Sequence, residues 1–472
     1  MELELIRQQL HKRYIEPTKI KREKYIGVEI EMPIVNLSKT AVDFEVIHGI
    51  TKSFISHFKF TVVGTDDEGN IYSAQSIING DILSYDCSYN NLELSFGREQ
   101  NLFTIQKRFY EYYDFLQNEF RKYNYTLTGM GVNPYRNYNH NVPIPNGRYR
   151  MLFHHLNSYK KYLDLPMHFH RYPEYSTFSS ASQVQLDVEH EKLALTLNTF
   201  SRLEPIKALL FSNSVLLGDD ENTLCCRDMF WENSTHGINP HNVGMYDCNF
   251  ESVDDILSYI ETASIYCVER DGKYINFAPI RLDEYFNRQS VTGEYFDNGI
   301  YRKIEIQPCF EDLEYLRTFK FIDLTFRGTV EFRSVCCQPI CDSLCVAAFH
   351  VGLVERLEEL SELLDNDRIL YHHGYTSGEL RKILTKRNLP EFIDKDKLYS
   401  LAKRVVDLAY DGLVSRSQGE EKLLEPLYQR IKSQTNPAKN MITLINSGVK
   451  LEEIIAEYAK AEYSITQLRQ TG

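Results

Sequence analysis

The sequence predicts an α+β protein, with one sheet-based body followed by a helical extension. Three observations carry this reading. Stretches alternating apolar and polar residues recur between helix-like stretches up to about residue 335. Four of these put oxygen-bearing side chains on one face of an extended chain and apolar ones on the other. Beyond residue 335 the apolar spacing turns helical, with Leu353, Leu357, Leu360 and Leu364 in one stripe and Leu451, Ile454, Ile455 and Tyr458 in another. The body takes residues 1–348 and the extension residues 349–472, packed on it. No linker, repeat or low-complexity tract divides the 472 residues.

In order along the chain, the spacing gives an amphipathic helix near residues 2–13, a strand in KYIGVEIEMPIV and a helix in FEVIHGITKSFISHF. Strands follow in KFTVVG, GNIYSAQS, DILSYD and NNLELSF. LFTIQKRFYEYYDFLQNEF repeats apolar residues at helical spacing, and TLTGMGV and ASQVQLDVE return to alternation.

Composition narrows the function classes. The net charge of −13 opposes broad binding to a phosphate backbone, which needs a basic face, so no nucleic-acid partner is expected. The N-terminal MELELIRQQLHKRY lacks the apolar core of a signal peptide, and no stretch has the roughly 18 apolar residues of a membrane span. A soluble, cytoplasmic protein is the expectation, with its ten cysteines reduced and Asn124 and Asn233 unglycosylated.

The four alternating strands carry the chemistry. Glu29 and Glu31 oppose Val28 and Ile30; Glu93 and Ser95 oppose Leu92 and Leu94. Gln183, Gln185 and Asp187 oppose Val184, Leu186 and Val188, and Glu331 and Arg333 oppose Val330 and Phe332. An antiparallel sheet with one wet face alternates in the same way. These fronts, however, offer mainly Glu, Gln and Asp, and carboxylates crowded on one surface raise one another's pKa unless a cation lies between them. Magnesium, a hard ion that bridges carboxylates and substrate phosphates, suits such a surface.

These segments, in this order, resemble the glutamate–cysteine ligase family of the plant and proteobacterial type, ATP-dependent carboxylate–amine ligases of glutathione biosynthesis. IGVEIEMP is similar to the family's Gly-x-Glu-x-Glu strand, GMGVNPYRNYNHNVPIPNGRYRML to its Pro-x-Gly-Arg-Tyr loop, and SSASQVQLDV to its Ser-x-Gln-Val-x-Leu-Asp strand. CCRDMFWENST resembles its Arg and Trp segment and GTVEFRS its Glu-x-Arg strand; the matches span residues 25 to 335. The resemblance implies a glutamine-synthetase-like fold, a curved antiparallel sheet forming a funnel with flanking helices. It implies that Glu29, Glu31, Asp86, Glu93, Gln185 and Glu331 ligate magnesium, or manganese in its place. By the same resemblance Arg333 stabilises the transferring phosphoryl group, while Arg148, Arg150, Gln183 and Arg227 meet ATP or the amino acid. The implied reaction joins the γ-carboxylate of glutamate to an amine, with cysteine leading, through a γ-glutamyl phosphate. Rivals are a ligase for another amine or acid and a non-catalytic relative that keeps the cleft. One departure leaves the amine open: where related ligases carry an acid after Glu-x-Arg, this chain has Cys336 and Cys337.

Other patterns point less far. Cys337, Cys341 and Cys345 share helical spacing, which fits a small-residue packing face better than a zinc site. His154, His155, His168 and His170 read as surface or loop residues, and TGMGVN lacks the third glycine of a dinucleotide fingerprint.

Overall fold

The alternation in the first hundred residues becomes a sheet that grows outward from one strand. The computed structural model describes residues 3–20, 23–371 and 373–462. In chain order the first strands are β1 (Ile26–Asn36), β2 (Phe60–Thr65), β3 (Ile71–Ser76), β4 (Ile82–Tyr85), β5 (Asn91–Glu99), β6 (Tyr125–Leu127) and β7 (Ser182–Asp187). With Ile322–Leu324 and Thr329–Phe332 they form a nine-stranded sheet, antiparallel throughout. Its spatial order is Ile322–Leu324, Thr329–Phe332, β7, β1, β5, β4, β3, β2, with β6 on the far end of β1. The α+β class with an antiparallel sheet is therefore as the sequence predicts.

The apolar back of this sheet is fully dry. Val28, Ile30, Met32, Leu92, Leu94, Val184, Leu186, Val330 and Phe332 are all buried in one core. The helix Leu102–Arg121 packs on β5, and Ser343–Val354 packs on β7 and β1. Phe332 meets Phe200 and His350, each at a ring separation of 4.6 Å. At the far edge, β2 exposes Val62 and Val63, and the following β3–β4 turn exposes Ile77 and Ile78.

The helix expected near residues 2–13 runs Leu3–Leu10 and continues as a π turn over His11–Ile15; residue 2 lies outside the described residues. Phe44–Phe58 and Leu102–Arg121 begin where Asp43 and Asn101 accept hydrogen bonds from the first free backbone N–H groups. TLTGMGV departs from the expected strand after Leu127. There Gly129 N–H donates to Tyr458 and Gly131 N–H to Asn213, outside the sheet. A Cβ on Gly129 would lie 2.1 Å from the Gln338 carbonyl oxygen, so glycine permits this close approach.

A second, four-stranded antiparallel sheet follows, over Ser264–Arg270, Lys273–Arg281, Val291–Asp297 and Ile300–Ile306. A short parallel pair joins Val243–Gly244 to Phe319–Lys320. Residue 348, the expected end of the body, lies inside Ser343–Val354, so body and extension are joined by a continuous helix. The Leu353–Leu364 stripe is buried, but it spans two helices, Ser343–Val354 and Leu357–Asp365. Arg356 leaves helical geometry (φ −124°, ψ 38°), turning toward Glu359 while Glu355 pairs with Lys24. Among the described residues no helix is long and apolar enough to cross a membrane.

Candidate active site

The four polar fronts share one face of one sheet. Glu331 stands opposite Gln185, Glu29 lies between Gln183 and Ser95, and Glu31 opposes Glu93. Directly opposed residues in an antiparallel pair share a face, so the register collects these acids and amides on a single surface. Asp323 opposite Glu331 adds a further acid from Ile322–Leu324.

Above this surface lies a cavity of ≈370 Å³. Glu29, Glu31, Asp86, Glu93, Gln183, Arg148, Arg227 and Arg333 line it. Asp86 follows β4, where Cys87 takes a left-handed φ of 61°, a conformation that costs energy for a residue with a Cβ. Arg148 enters from the helix Gly147–Asn157, capped by Asn146. Arg150 does not join it. Two residues apart on a helix, the side chains diverge by about 200°, and Arg150 pairs with Asp67 beneath Phe296, in an adjoining cavity of ≈160 Å³. Glu331 and Gln185 stand in the sheet beside the cavity rather than on its lining.

The carboxylates are buried and mutually repelling. Burial, followed by the charge of Glu331, pushes Glu29 up to about 8. Burial and the neighbouring Asp86 push Glu31 up to about 7. Burial with the charges of Glu29 and Asp86 drives Glu93 well above the usual carboxylate range. Burial works against the Arg333 charge, but Glu331 and Asp323 outweigh it and raise the guanidinium pKa. Arg333 donates to Glu331 at 2.8 Å, so the two charges of the GTVEFRS strand partner each other.

Other protein groups occupy these carboxylates as well. Glu31 accepts from Ala181 N–H (2.7 Å) and the Gln183 amide (3.0 Å), and Glu93 accepts from Ser95. Consistent with this, among the described residues no three His, Cys, Asp or Glu side chains converge on one point to hold a metal ion. The donor chemistry is nonetheless that of a hard cation, entirely oxygen, and the crowded carboxylates are groups whose repulsion a cation relieves. The Gln183 amide oxygen is buried without a hydrogen-bond partner.

The cavity also has a wall that the alternation does not reveal. Trp231 stacks on Phe319 at 4.5 Å, and His236, Tyr266 and Tyr175 complete an aromatic lining. Lys320, buried nearby with its pKa lowered to about 7 by burial, donates to the carbonyls of Val243 (2.9 Å) and Met245 (2.6 Å). Asp323 had a legible signal, since it alternates with Ile322 and Leu324, and Trp231 lies in the CCRDMFWENST segment.

Behind the cavity is a buried ionic network. Arg381 makes a two-pronged contact with Asp228 (2.7 and 2.9 Å) and binds Glu204 (2.6 Å), which also accepts from Lys207 (2.6 Å) and Ser334 (3.1 Å). Arg227 donates to the carbonyls of Ser334 and Val335, tying its helix to the strand that holds Arg333. Cys336 approaches Cys225, thiol to thiol, at 3.5 Å and lies against Gly131. Cys337, Cys341 and Cys345 share no helix, because Cys337 lies ahead of the turn Ile340–Asp342. His155 and His170 are buried rather than exposed; His155 stacks on Tyr266 at 4.1 Å.

No family model matches the chain. It is similar to the chloroplastic glutamate–cysteine ligase of Solanum lycopersicum, 24% identical over 329 residues, covering 67% of this chain and 57% of that protein. It is also similar to the chloroplastic glutamate–cysteine ligase of Brassica juncea, 23% identical over 263 residues, covering 54% of this chain and 48% of that one. The chain thus spans about half the length of the curated relatives it matches. Among solved structures, the glutamate–cysteine ligase of Francisella tularensis in complex with AMP aligns with a TM-score of 0.44 and 10% identity, covering 95% of this chain and 92% of that chain.

Proposed function

We propose that this chain is a soluble, cytoplasmic ligase that uses ATP to join the γ-carboxylate of glutamate to an amine, cysteine foremost, through a γ-glutamyl phosphate. One observation carries the reading. A single sheet face gathers Glu29, Glu31, Glu93, Gln183, Gln185 and Glu331, and Arg148, Arg227, Arg317 and Arg333 line the cavity above it. The similarity to plant glutamate–cysteine ligases supports the class.

Joining a carboxylate to an amine in water is uphill, so the carboxylate is first activated. A γ-carboxylate oxygen bonds to the terminal phosphorus of ATP as the bond to ADP breaks. The amine nitrogen then bonds to the acyl carbon, inorganic phosphate leaves, and the nitrogen gives up its proton. Phosphoryl transfer asks the protein mainly for alignment and positive charge. Arg333, held by Glu331, supplies that charge, and Arg148 and Arg227 on the cavity wall meet phosphate or carboxylate groups. Glu29, Glu31, Asp86, Glu93, Gln185 and Glu331 are the residues that would hold magnesium or manganese. A bound cation neutralises phosphate charge. The buried position of the acids and the aromatic wall exclude water, which protects an acyl phosphate from hydrolysis.

The test is a trapping assay. Glutamate and MgATP without amine are expected to give a γ-glutamyl hydroxamate when hydroxylamine is added, and cysteine is expected to accelerate ADP release and yield a γ-glutamyl amide by mass. Absence of hydroxamate with glutamate overturns the reading. Acceleration by another amine but not by cysteine removes only the acceptor.

A further inference from the structure

We infer that His236 reads the side chain of the acceptor, holding a thiol as S–H in the aromatic slot beside Trp231 while Arg227 takes the acceptor's α-carboxylate. The inference rests on the ligase reading above and goes beyond it to a residue that selects the amine.

His236 is 4% exposed and lines the cavity, yet neither ring nitrogen has a hydrogen-bond partner among the described residues. Leaving a buried polar group unpaired costs about 1–3 kcal/mol, so an unpaired imidazole on a cavity wall is a place where a ligand gains. Its surroundings are rings: Phe319 at 4.3 Å, Tyr266 at 5.1 Å, His155 at 5.2 Å and Trp231 at 6.0 Å. The backbone is fixed. Ser234 accepts from His236 N–H, and a Cβ on Gly237 would lie 1.9 Å from the Glu232 carbonyl oxygen.

A second orphan lies on the same segment. Arg227 spends Nη1 on the carbonyls of Ser334 and Val335, but its buried Nε has no partner. Arg227 and Trp231 are four residues apart in the helix Cys226–Glu232 and so share a face. A guanidinium one helical turn from an aromatic slot fits an amino acid with a short side chain. A purine offers no carboxylate to the arginine.

The slot suits sulfur, which gains from contact with rings where a hydroxyl does not. A neutral imidazole presents one N–H and one bare nitrogen, and the bare nitrogen accepts from S–H. Burial supports the neutral form, lowering the His236 pKa to about 3. In an apolar slot the imidazole has no partner to stabilise it as a cation, so the thiol it accepts from keeps its proton. The thiol is then recognised without becoming a thiolate, so nitrogen and not sulfur attacks the acyl phosphate.

Trp231 is the only tryptophan in the chain, so its fluorescence reports this slot alone. With glutamate and a non-hydrolysable ATP analogue present, wild-type protein, His236→Phe and His236→Asn are titrated with cysteine and with 2-aminobutyrate, which replaces the thiol by a methyl. Wild type is expected to prefer cysteine by about tenfold. His236→Phe is expected to erase that ratio, and His236→Asn, which keeps a donor and an acceptor, to restore part of it. An unchanged ratio in both variants, no preference in wild type, or a loss falling on the nucleotide analogue instead overturns the inference. Binding is read without turnover, so it is independent of the hydroxamate assay. A hydroxamate with an unchanged ratio removes His236 and leaves the ligase, and a thiol preference without hydroxamate does the reverse. If His236→Phe does not fold, the ratio in His236→Asn decides: retention of more than half the wild-type preference supports the inference, provided His236→Ala loses it.

Discussion

Arg333 and Glu331 sit two residues apart on one strand and bind each other at 2.8 Å, with the arginine on the cavity wall. Lysine at 333 keeps the charge but loses the planar fork that matches phosphate oxygens. Arg333→Lys is therefore expected to lower kcat roughly 10²-fold with a smaller change in KM, read by steady-state ADP formation; a change confined to KM makes Arg333 a ground-state anchor instead. His350, on the opposite face of the sheet, gives a different handle. It is fully buried against Phe332, and burial, reinforced by Lys207, holds its pKa well below the ordinary value. As pH falls below about 6.5 the unfolded chain takes up this proton and the folded one does not, so stability is lost at up to about 1.36 kcal/mol per pH unit. In His350→Phe the decline between pH 6.5 and 5 is expected to be shallower by about one proton, measured from urea midpoints. An identical slope shows that His350 protonates in place.

The helix that joins body and extension meets a helix of the extension at paired glycines. A Cβ on Gly352 would lie 2.1 Å from the Ala409 carbonyl oxygen, and one on Gly412 would lie 1.9 Å from the Gly352 carbonyl oxygen. Ser343–Val354 and Lys395–Ser415 therefore cross backbone to backbone. Gly352→Ala and Gly412→Ala are each expected to cost about 1–3 kcal/mol by forcing the helices apart. The double variant should cost less than the sum, because one separation relieves both contacts; additive midpoints would show that the crossing does not couple them. At this scale the sequence was most readable where caps and spacing agreed, as in Phe44–Phe58, whose bounds match the apolar pattern, with Asp43 as cap. It was least readable in the second sheet, whose strands carry charges on exposed faces. Even there the hairpin turns left a signal, Asp271-Gly272 and Asn298-Gly299, all four at positive φ.

Across the molecule, the C-terminal helices reach the cavity through Arg381, which neutralises Asp228 and Glu204 from behind. Arg381→Met leaves two buried carboxylates short of a partner and is expected to cost about 3–5 kcal/mol in chemical denaturation, with turnover in the proposed ligase assay falling as well because Asp228 adjoins Arg227. Full activity in a folded Arg381→Met protein would separate the extension from catalysis. The site itself was half legible. Period-two alternation identifies which residues of one strand face together, so Glu29 pairs with Glu31 and Glu331 with Arg333, while only the family resemblance joined these strands to each other and to Glu93. Register and strand order depend on contacts between distant segments, so the opposition of Glu331 to Gln185 and the aromatic wall at Trp231 and His236 could not be grouped in this way. Helical geometry, applied to residues 148 and 150, would have separated Arg148 from Arg150. The outer strand β2, with Val62 and Val63 bare and Ile77 and Ile78 on the next turn, has a further consequence for handling the protein in solution. An unpaired strand rich in branched residues is a template for other chains, so warming concentrated solutions should cause clouding before the fold itself melts. Val63→Lys would place a hydrated charge on that template and is expected to delay light scattering while leaving the unfolding midpoint in place, which would make colloidal shelf life a property of one strand.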